Sequence, residues 1–334
     1  MARQTYRRVT TSKEKTSLIN NKNMLLMEQF FKDKSTRTSE ATIKNYRSDL
    51  IIFFTWVLDN LDNKFFVDIK KLEFSEFFSW CVSELQWGSA RANRMRSTLS
   101  SLSQFIERFM DDEYPNYRNL ILRAIESMPK EEKRDKTILT DEQVEWLLQE
   151  LKKKDIQKAC LFSLAVASGA RFAELLRFTT DIIDPKHLAY QDVFLETLRP
   201  IKTKGRGRNG KMLYKYIIKD IFLPYYESWL VEREKIMSKN EKNHTSIFIK
   251  KDGSPAEEGT IRAWIKTIDD MIDVDFYIHA VRHYGVTFLS KIGLPEQLIK
   301  DIYGWESTLM VNIYDDSSSK DKNWAELDTL KNSL

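Results

Sequence analysis

Cysteine is nearly absent: 334 residues hold only Cys81 and Cys160, each among apolar neighbours and neither with metal-ligand spacing. That excludes a disulfide-stapled framework and points to buried thiols in a reducing compartment. Long apolar runs are missing too. The longest, ACLFSLAVASGA over 159–170, is too short to span a bilayer and includes serines and a glycine. The start, MARQTYRRVTTSKEK, has no apolar segment of the signal-peptide kind. The expectation is a cytoplasmic protein with no membrane partner. Histidine is scarce as well, with four in the chain, yet two of them stand four residues apart at His279 and His283.

What is present describes a globular chain. Apolar residues make up 42% and charged residues 31%, enough for real cores, and the length favours two domains over one. The net charge of +4 decides little, but its distribution is uneven. Residues 200–219 carry seven bases and no acid, and residues 1–23 carry six bases against one acid. Such clusters suit a polyanion.

Periodicity organises the chain. Residues 1–22 read as a flexible basic arm, and 23–129 as a helical domain. In SEATIKNYRSDLIIFFTWVL, Ile43, Tyr46, Leu50, Phe53, Phe54 and Val57 recur at helical spacing behind a Ser39 cap. In the segment 88–110, Arg91, Arg94 and Arg96 precede an apolar half, a pattern that docks on a core while touching phosphates. Residues 130–139 read as a charged linker that runs to the capping box Thr140-Asp141-Glu142-Gln143, where a second domain begins. Helices follow, with Gly169 ending one and ARFAELLRF starting the next. LAYQDVFLETL, RPIKTK and KMLYKYIIK read as short strands, as does SIFIKK further on. The tail 317–334 places Trp324, Leu327 and Leu330 on one helical face. The fold class is mainly α with a small antiparallel β-sheet.

Two chemical motifs fail on context. GRGRNGK (205–211) fits a glycine-rich phosphate loop, but such a loop needs a helix directly after it, and MLYKYII alternates as a strand. A hairpin turn is the better reading, so no nucleotide cofactor is expected. His279 and His283 at i, i+4 suit a metal, but residue 280 is Ala and no neighbouring ligand completes a set. No metal site is expected. Arg171 opens a helix, where a cation is mildly unfavourable, and Glu174 three residues on faces the same side.

Taken together, SGARFAELL, then HAVRH, then YGW, then a tyrosine nine residues after the Trp resemble the tyrosine recombinase family, the phage-integrase and Xer-like site-specific recombinases. That family carries a pattern like TGLRxxEL, a β-hairpin lysine, HxxRH, LGH or LGW, and Tyr. The resemblance covers 137–316 well and 23–129 loosely. It implies a helical core-binding domain at 23–129, a mixed α+β catalytic domain at 140–316, and a tail that docks on a neighbouring protomer. Arg171 and Arg282 would grip the scissile phosphate, with His279 beside them and Trp305 where many relatives have a second histidine. Tyr314 would be the nucleophile, with Glu174 and His283 in support. The hairpin lysine would be Lys204 or Lys202, with Lys204 the first choice. Arg94, Arg206 and Arg208 would contact DNA phosphates.

The implied activity is cutting and rejoining of double-stranded DNA through a 3′-phosphotyrosine, without metal or ATP. The implied partners are DNA, further copies of the chain as a tetramer on two paired sites, and accessory proteins. The residue types suit this chemistry. Two arginines match the charge that develops on two phosphate oxygens. A phenol with a pKa of about 10 needs activation, and the leaving 5′ oxygen needs a proton. Trp305 can donate but cannot shuttle a proton, so it should pack against Tyr314. Tyr303, Tyr284 and Tyr277 are rival nucleophiles by chemistry alone. Two other readings stand beside this one: a DNA nicking and relaxing enzyme, and a non-catalytic DNA-binding relative. The chain's modest size argues against the first, and its retention of Arg171, Arg282 and Tyr314 against the second.

Overall fold

The computed structural model describes residues 11–129, 137–205 and 209–315, and the chain divides into two compact units. Among the described residues, no helix is long and apolar enough to cross a membrane. The 1–10 part of the expected arm, the 317–334 tail, Arg206 and Arg208 lie outside the described residues.

The first unit is helical: α1 (Lys13–Leu18), α2 (Asn21–Ser35), α3 (Glu40–Asn60), α4 (Lys71–Ser83), α5 (Ser89–Phe109) and α6 (Leu120–Ala124). Ser39 caps α3 as its sequence predicts, accepting from the Thr42 N–H at 3.3 Å. The core is aromatic. Phe53 stacks on Phe74 at 5.7 Å and meets the edge of Phe77 at 4.9 Å, distances at which ring quadrupoles attract. Asp49 brings a charge into this unit: it is fully buried, 2.8 Å from Arg91, 3.2 Å from Arg94 and bonded to the Thr98 hydroxyl at 3.0 Å.

Residues 13–22 correct the arm expectation. Ser12 caps α1, Asn20 caps α2, and Ile19 is buried in the core of the unit. Asn20 also donates two hydrogen bonds to Asn63, at 2.8 and 2.9 Å. Local capping and one buried isoleucine outweigh the basic charge that suggested a free arm.

The second unit begins with α7 (Asp141–Lys154), where Thr140 and Gln143 form the expected reciprocal cap at 3.2 and 3.0 Å. Next comes α8 (Ile156–Ser168), buried on every side from Ala159 onward, as an apolar-all-round helix must be. It packs against α7 and against α10 (Lys219–Lys239) and α12 (Ile278–Lys291). Gly169 ends α8 in the left-handed region at φ 52°, and α9 (Phe172–Leu175) follows. The remaining helices are α11 (Glu258–Asp269), α13 (Glu296–Tyr303) and α14 (Leu309–Tyr314).

The strands differ from expectation in number and extent. LAYQDVFLETL is not one strand but a hairpin of β1 (Leu188–Ala189) and β2 (Phe194–Glu196), turned by Tyr190, Gln191 and Asp192 at positive φ. KMLYKYIIK splits into β4 (Lys211–Leu213) and β5 (Tyr216–Ile218), because its halves pair with different partners. β5 joins β1 and β2 in a three-stranded antiparallel sheet, and β4 pairs with β3 (Ile201–Thr203) in a two-stranded one. The expected single sheet is therefore two. The pairing of Thr203 with Lys211 supports the hairpin reading of GRGRNGK over the phosphate loop. SIFIKK forms only isolated bridges, Thr179 with Ser246 and Ile249 with Pro255, and the Ile249 N–H turns instead to the Gln157 side chain at 2.8 Å.

Candidate active site

Arg171 sits at the N-cap of α9, where its own helix terminus does not favour a cation. Glu174 compensates. Its Oε2 accepts from the Arg171 backbone N–H at 3.2 Å, and its Oε1 accepts from the guanidinium at 3.0 Å. The carboxylate is 1% exposed, and a third group reaches it: the Lys215 ammonium, 3.4 Å from Oε2 and itself 2% exposed. Burial alone would raise the Glu174 carboxyl, but the charges of Lys215 and Arg171 outweigh it and hold the group below its ordinary range. The same burial lowers Lys215 to about 8, partly offset by Glu174. Lys215 is the residue the sequence reading missed. It stood as one of seven bases in 200–219, yet strand alternation sets it in phase with Leu213 and Ile217, not with the exposed Met212 and Tyr214.

Arg282 comes from α12 and is 1% exposed. One guanidinium nitrogen donates to the Gly169 carbonyl, which the left-handed end of α8 presents to it. The guanidinium carbon lies over three rings: Tyr303 at 4.7 Å, Trp305 at 5.0 Å and Tyr314 at 5.5 Å. Its Nε and Nη2, together with the Trp305 indole N–H, are buried donors without a partner among the described residues. Native structures rarely leave such donors unpaired, so a cluster of three calls for an acceptor from beyond the described residues.

Tyr303 builds the floor. A Cβ on Gly169 would lie 2.4 Å from its ring and one on Gly285 would lie 2.6 Å from its hydroxyl, so both glycines make room for the phenol. It is buried, and that burial pushes its phenol up to about 12. Tyr284 is raised by burial as well.

Tyr314 closes α14. Its hydroxyl is 2.9 Å from Nε2 of His279, its carbonyl accepts from Nδ1 of His283 at 3.3 Å, and its ring stacks on Trp305 at 5.0 Å and 23°. The expected packing of Trp305 against Tyr314 is therefore observed. Burial, then Arg282, His283 and Arg171, lower the His279 imidazole to about 4, leaving it neutral at pH 7. Among the described residues, no group of three His, Cys, Asp or Glu side chains gathers around this histidine pair.

The structure thus brings Arg171, Glu174, His279, Arg282, His283, Trp305 and Tyr314 together. It does not draw in the two lysines chosen from the sequence. Lys202 and Lys204 are exposed on and after β3, and the Lys202 carbonyl accepts from Arg177. Arg94 belongs to the helical unit, with a half-exposed side chain held by Asp49.

The sequence profile of the phage integrase family matches residues 137–321, more than half of the chain. Among curated proteins, the SPbeta prophage-derived recombinase-like protein YomM of Bacillus subtilis is 26% identical over 215 residues, a match spanning 62% of this chain and 61% of that protein. Tyrosine recombinase XerC of Treponema denticola is 24% identical over 293 residues, covering 83% of this chain and 88% of its own length. Among solved structures, XerH site-specific recombinase bound to difH superposes with a TM-score of 0.63 at 17% identity, covering 91% of this chain and 95% of that one. A lambda integrase dimer bound to a core site gives 0.60 at 18% identity, covering 92% of this chain and 81% of that one. At these identities the structural likeness establishes the fold, and the profile match establishes the kinship. The chain belongs to the phage integrase family of tyrosine-type site-specific DNA recombinases.

Proposed function

We propose that the chain cuts and rejoins duplex DNA at specific sites through a covalent 3′-phosphotyrosine on Tyr314. The observation that carries this reading is the meeting of the Tyr314 hydroxyl with neutral His279 at 2.9 Å, beside buried Arg282 donors that have no partner among the described residues. The Tyr314 oxygen attacks phosphorus, forming the P–O(Tyr) bond as the P–O5′ bond breaks. Its proton passes toward His279 Nε2. Arg171 and Arg282 hold the two non-bridging oxygens, and the Trp305 N–H supplies a further donor. The exposed Lys204, on the segment that follows β3, protonates the departing 5′ oxygen, with Lys202 as the alternative. A second strand's 5′ hydroxyl reverses these bond changes, so the phosphodiester energy is conserved in the adduct and no nucleotide is consumed.

The helical unit and the catalytic unit clamp the duplex, with Arg94, Arg206 and Arg208 on phosphates. Strand exchange takes four copies on two paired sites, with the 317–334 tail docking between neighbours and accessory proteins joining the assembly. The reaction belongs in the cytoplasm, where the DNA is. The test is covalent capture on nicked duplexes from the DNA flanking the gene, with chelator and without ATP. A phosphotyrosyl adduct is expected with the native chain and none with Tyr314→Phe. An adduct that survives this substitution assigns the nucleophile elsewhere. A mobility shift without an adduct from the native chain favours a non-catalytic DNA-binding role.

A further inference from the structure

Lys215 is the charged residue that this mechanism leaves without a task. It lies between β4 and β5, and Thr197 holds its backbone from two sides. The Thr197 N–H donates to the Lys215 carbonyl at 3.0 Å, and the Thr197 hydroxyl accepts from the Lys215 N–H at 3.0 Å. The side chain is thereby committed inward, where an ammonium loses hydration that a leucine in its place would not miss. Its partner is Glu174 Oε2, the same oxygen that accepts from the Arg171 N–H, while Oε1 holds the Arg171 guanidinium. One carboxylate therefore links two cations, and Arg282 is a third charge close enough to act on Lys215. Three positive groups around one carboxylate leave an excess of positive charge, which suits a phosphodiester that gains a second negative charge as it reacts.

We infer that Lys215 is a positioning residue for strand cleavage: it fixes Glu174, and through it the Arg171 guanidinium, in the orientation that receives the scissile phosphate. The inference rests on the Tyr314 reading above. The charged groups that face Lys215 are Glu174 and Arg171 from α9 and its cap, and Arg282 from α12. The carboxylate is held below its ordinary range, whereas burial brings the Lys215 ammonium into the range between pH 7 and 9. Burial places its ammonium near 8, and above that pH the hold on Glu174 weakens.

The experiment is single-turnover adduct formation on nicked duplexes from pH 6 to 9.5, with the native chain and Lys215→Met, and DNA mobility shifts alongside. The native rate is expected to fall as pH rises through about 8. Lys215→Met is expected to cleave roughly 10- to 100-fold more slowly at pH 7, to lose that alkaline limb, and to shift DNA as the native chain does. A duplex with sulfur at the bridging 5′ position needs no proton on its leaving group, and it is expected not to rescue Lys215→Met. A variant that keeps the native rate or the native limb overturns the inference. Rescue by the sulfur duplex overturns it too, by making Lys215 the acid for the leaving oxygen. If Lys215→Met does not fold, the native profile decides: a rate that holds level through pH 8 overturns the inference. A native chain that forms no adduct while still shifting DNA removes the Tyr314 reading and this inference together.

Discussion

The Tyr314 hydroxyl and Nε2 of His279 stand 2.9 Å apart, and the imidazole that makes this contact is held neutral by burial and by three neighbouring cationic or ionisable groups. A neutral ring can take the phenol proton, whereas an imidazolium cannot. Cleavage is therefore expected to persist well below the ordinary histidine range and to fail only as pH approaches about 4. Stability follows the same sign. The folded state binds the His279 proton more weakly than the unfolded state, so this contribution is complete above about 6.5 and is lost as pH falls toward 4. Urea midpoints measured from pH 7 to pH 4 should drop less steeply for His279→Gln than for the native chain.

Trp305 offers a separation of packing from hydrogen bonding. Trp305→Phe retains a ring against Tyr314 and Arg282 but removes the N–H that has no partner among the described residues. Adduct formation is expected to slow by about 10- to 100-fold with thermal stability nearly unchanged. Trp305→Ala removes the ring as well and should cost about 3 kcal/mol in chemical unfolding.

Gly285 and Tyr303 form a testable pair. A methyl at Gly285 meets the Tyr303 hydroxyl at 2.6 Å, while its next neighbours stand at 3.5 and 3.9 Å. Gly285→Ala is expected to destabilise by about 1–3 kcal/mol. Adding Tyr303→Phe removes the clashing oxygen and should recover much of that loss, a coupling that a double-mutant cycle measures directly. Gly169→Ala should not be rescued this way, because its clash includes two ring carbons, at 2.4 and 2.6 Å, that Tyr303→Phe keeps, and its backbone sits at φ 52°.

In the helical unit, Asp49 and Arg94 should part company. Asp49 is fully buried beneath two arginines, so Asp49→Ala leaves charge uncompensated and is expected to cost roughly 3 kcal/mol or more. Arg94 is half exposed, so Arg94→Ala should change stability by less than about 1 kcal/mol. If Arg94 lies on a phosphate, its loss lowers the slope of log affinity against log salt by about one. An unchanged slope would remove Arg94 from the DNA contacts.

Much of this site was legible because its chemistry is written in local motifs. The i, i+3 and i, i+4 spacings of Arg171 with Glu174 and of His279 with Arg282 and His283 put those groups on shared helix faces before any fold is known. Tyr303 stood in the sequence as a rival nucleophile by chemistry alone, and the two glycines that receive it became visible only in the fold. What depended on distant pairing was harder to see. Strand ends followed from which partner each half of KMLYKYIIK meets, and Lys215 was hidden by the bases around it. The segment 13–22 looked free because its anchor, Asn63, lies more than forty residues away.

Arg282 reaches back to the carbonyl of Gly169 across 113 positions of the chain, and the residue that carries the proposed bond to DNA belongs to the last described helix. A ribosome releases Arg171 long before Tyr314 exists, and a partly unfolded copy loses the Gly169 contact as soon as α8 and α12 separate. The ability to break DNA is thus withheld from every incomplete or damaged copy and arrives only with the finished fold. If Tyr314 is the nucleophile, that ordering is itself a safeguard, built from nothing more than the sequence distance between the residues that must meet.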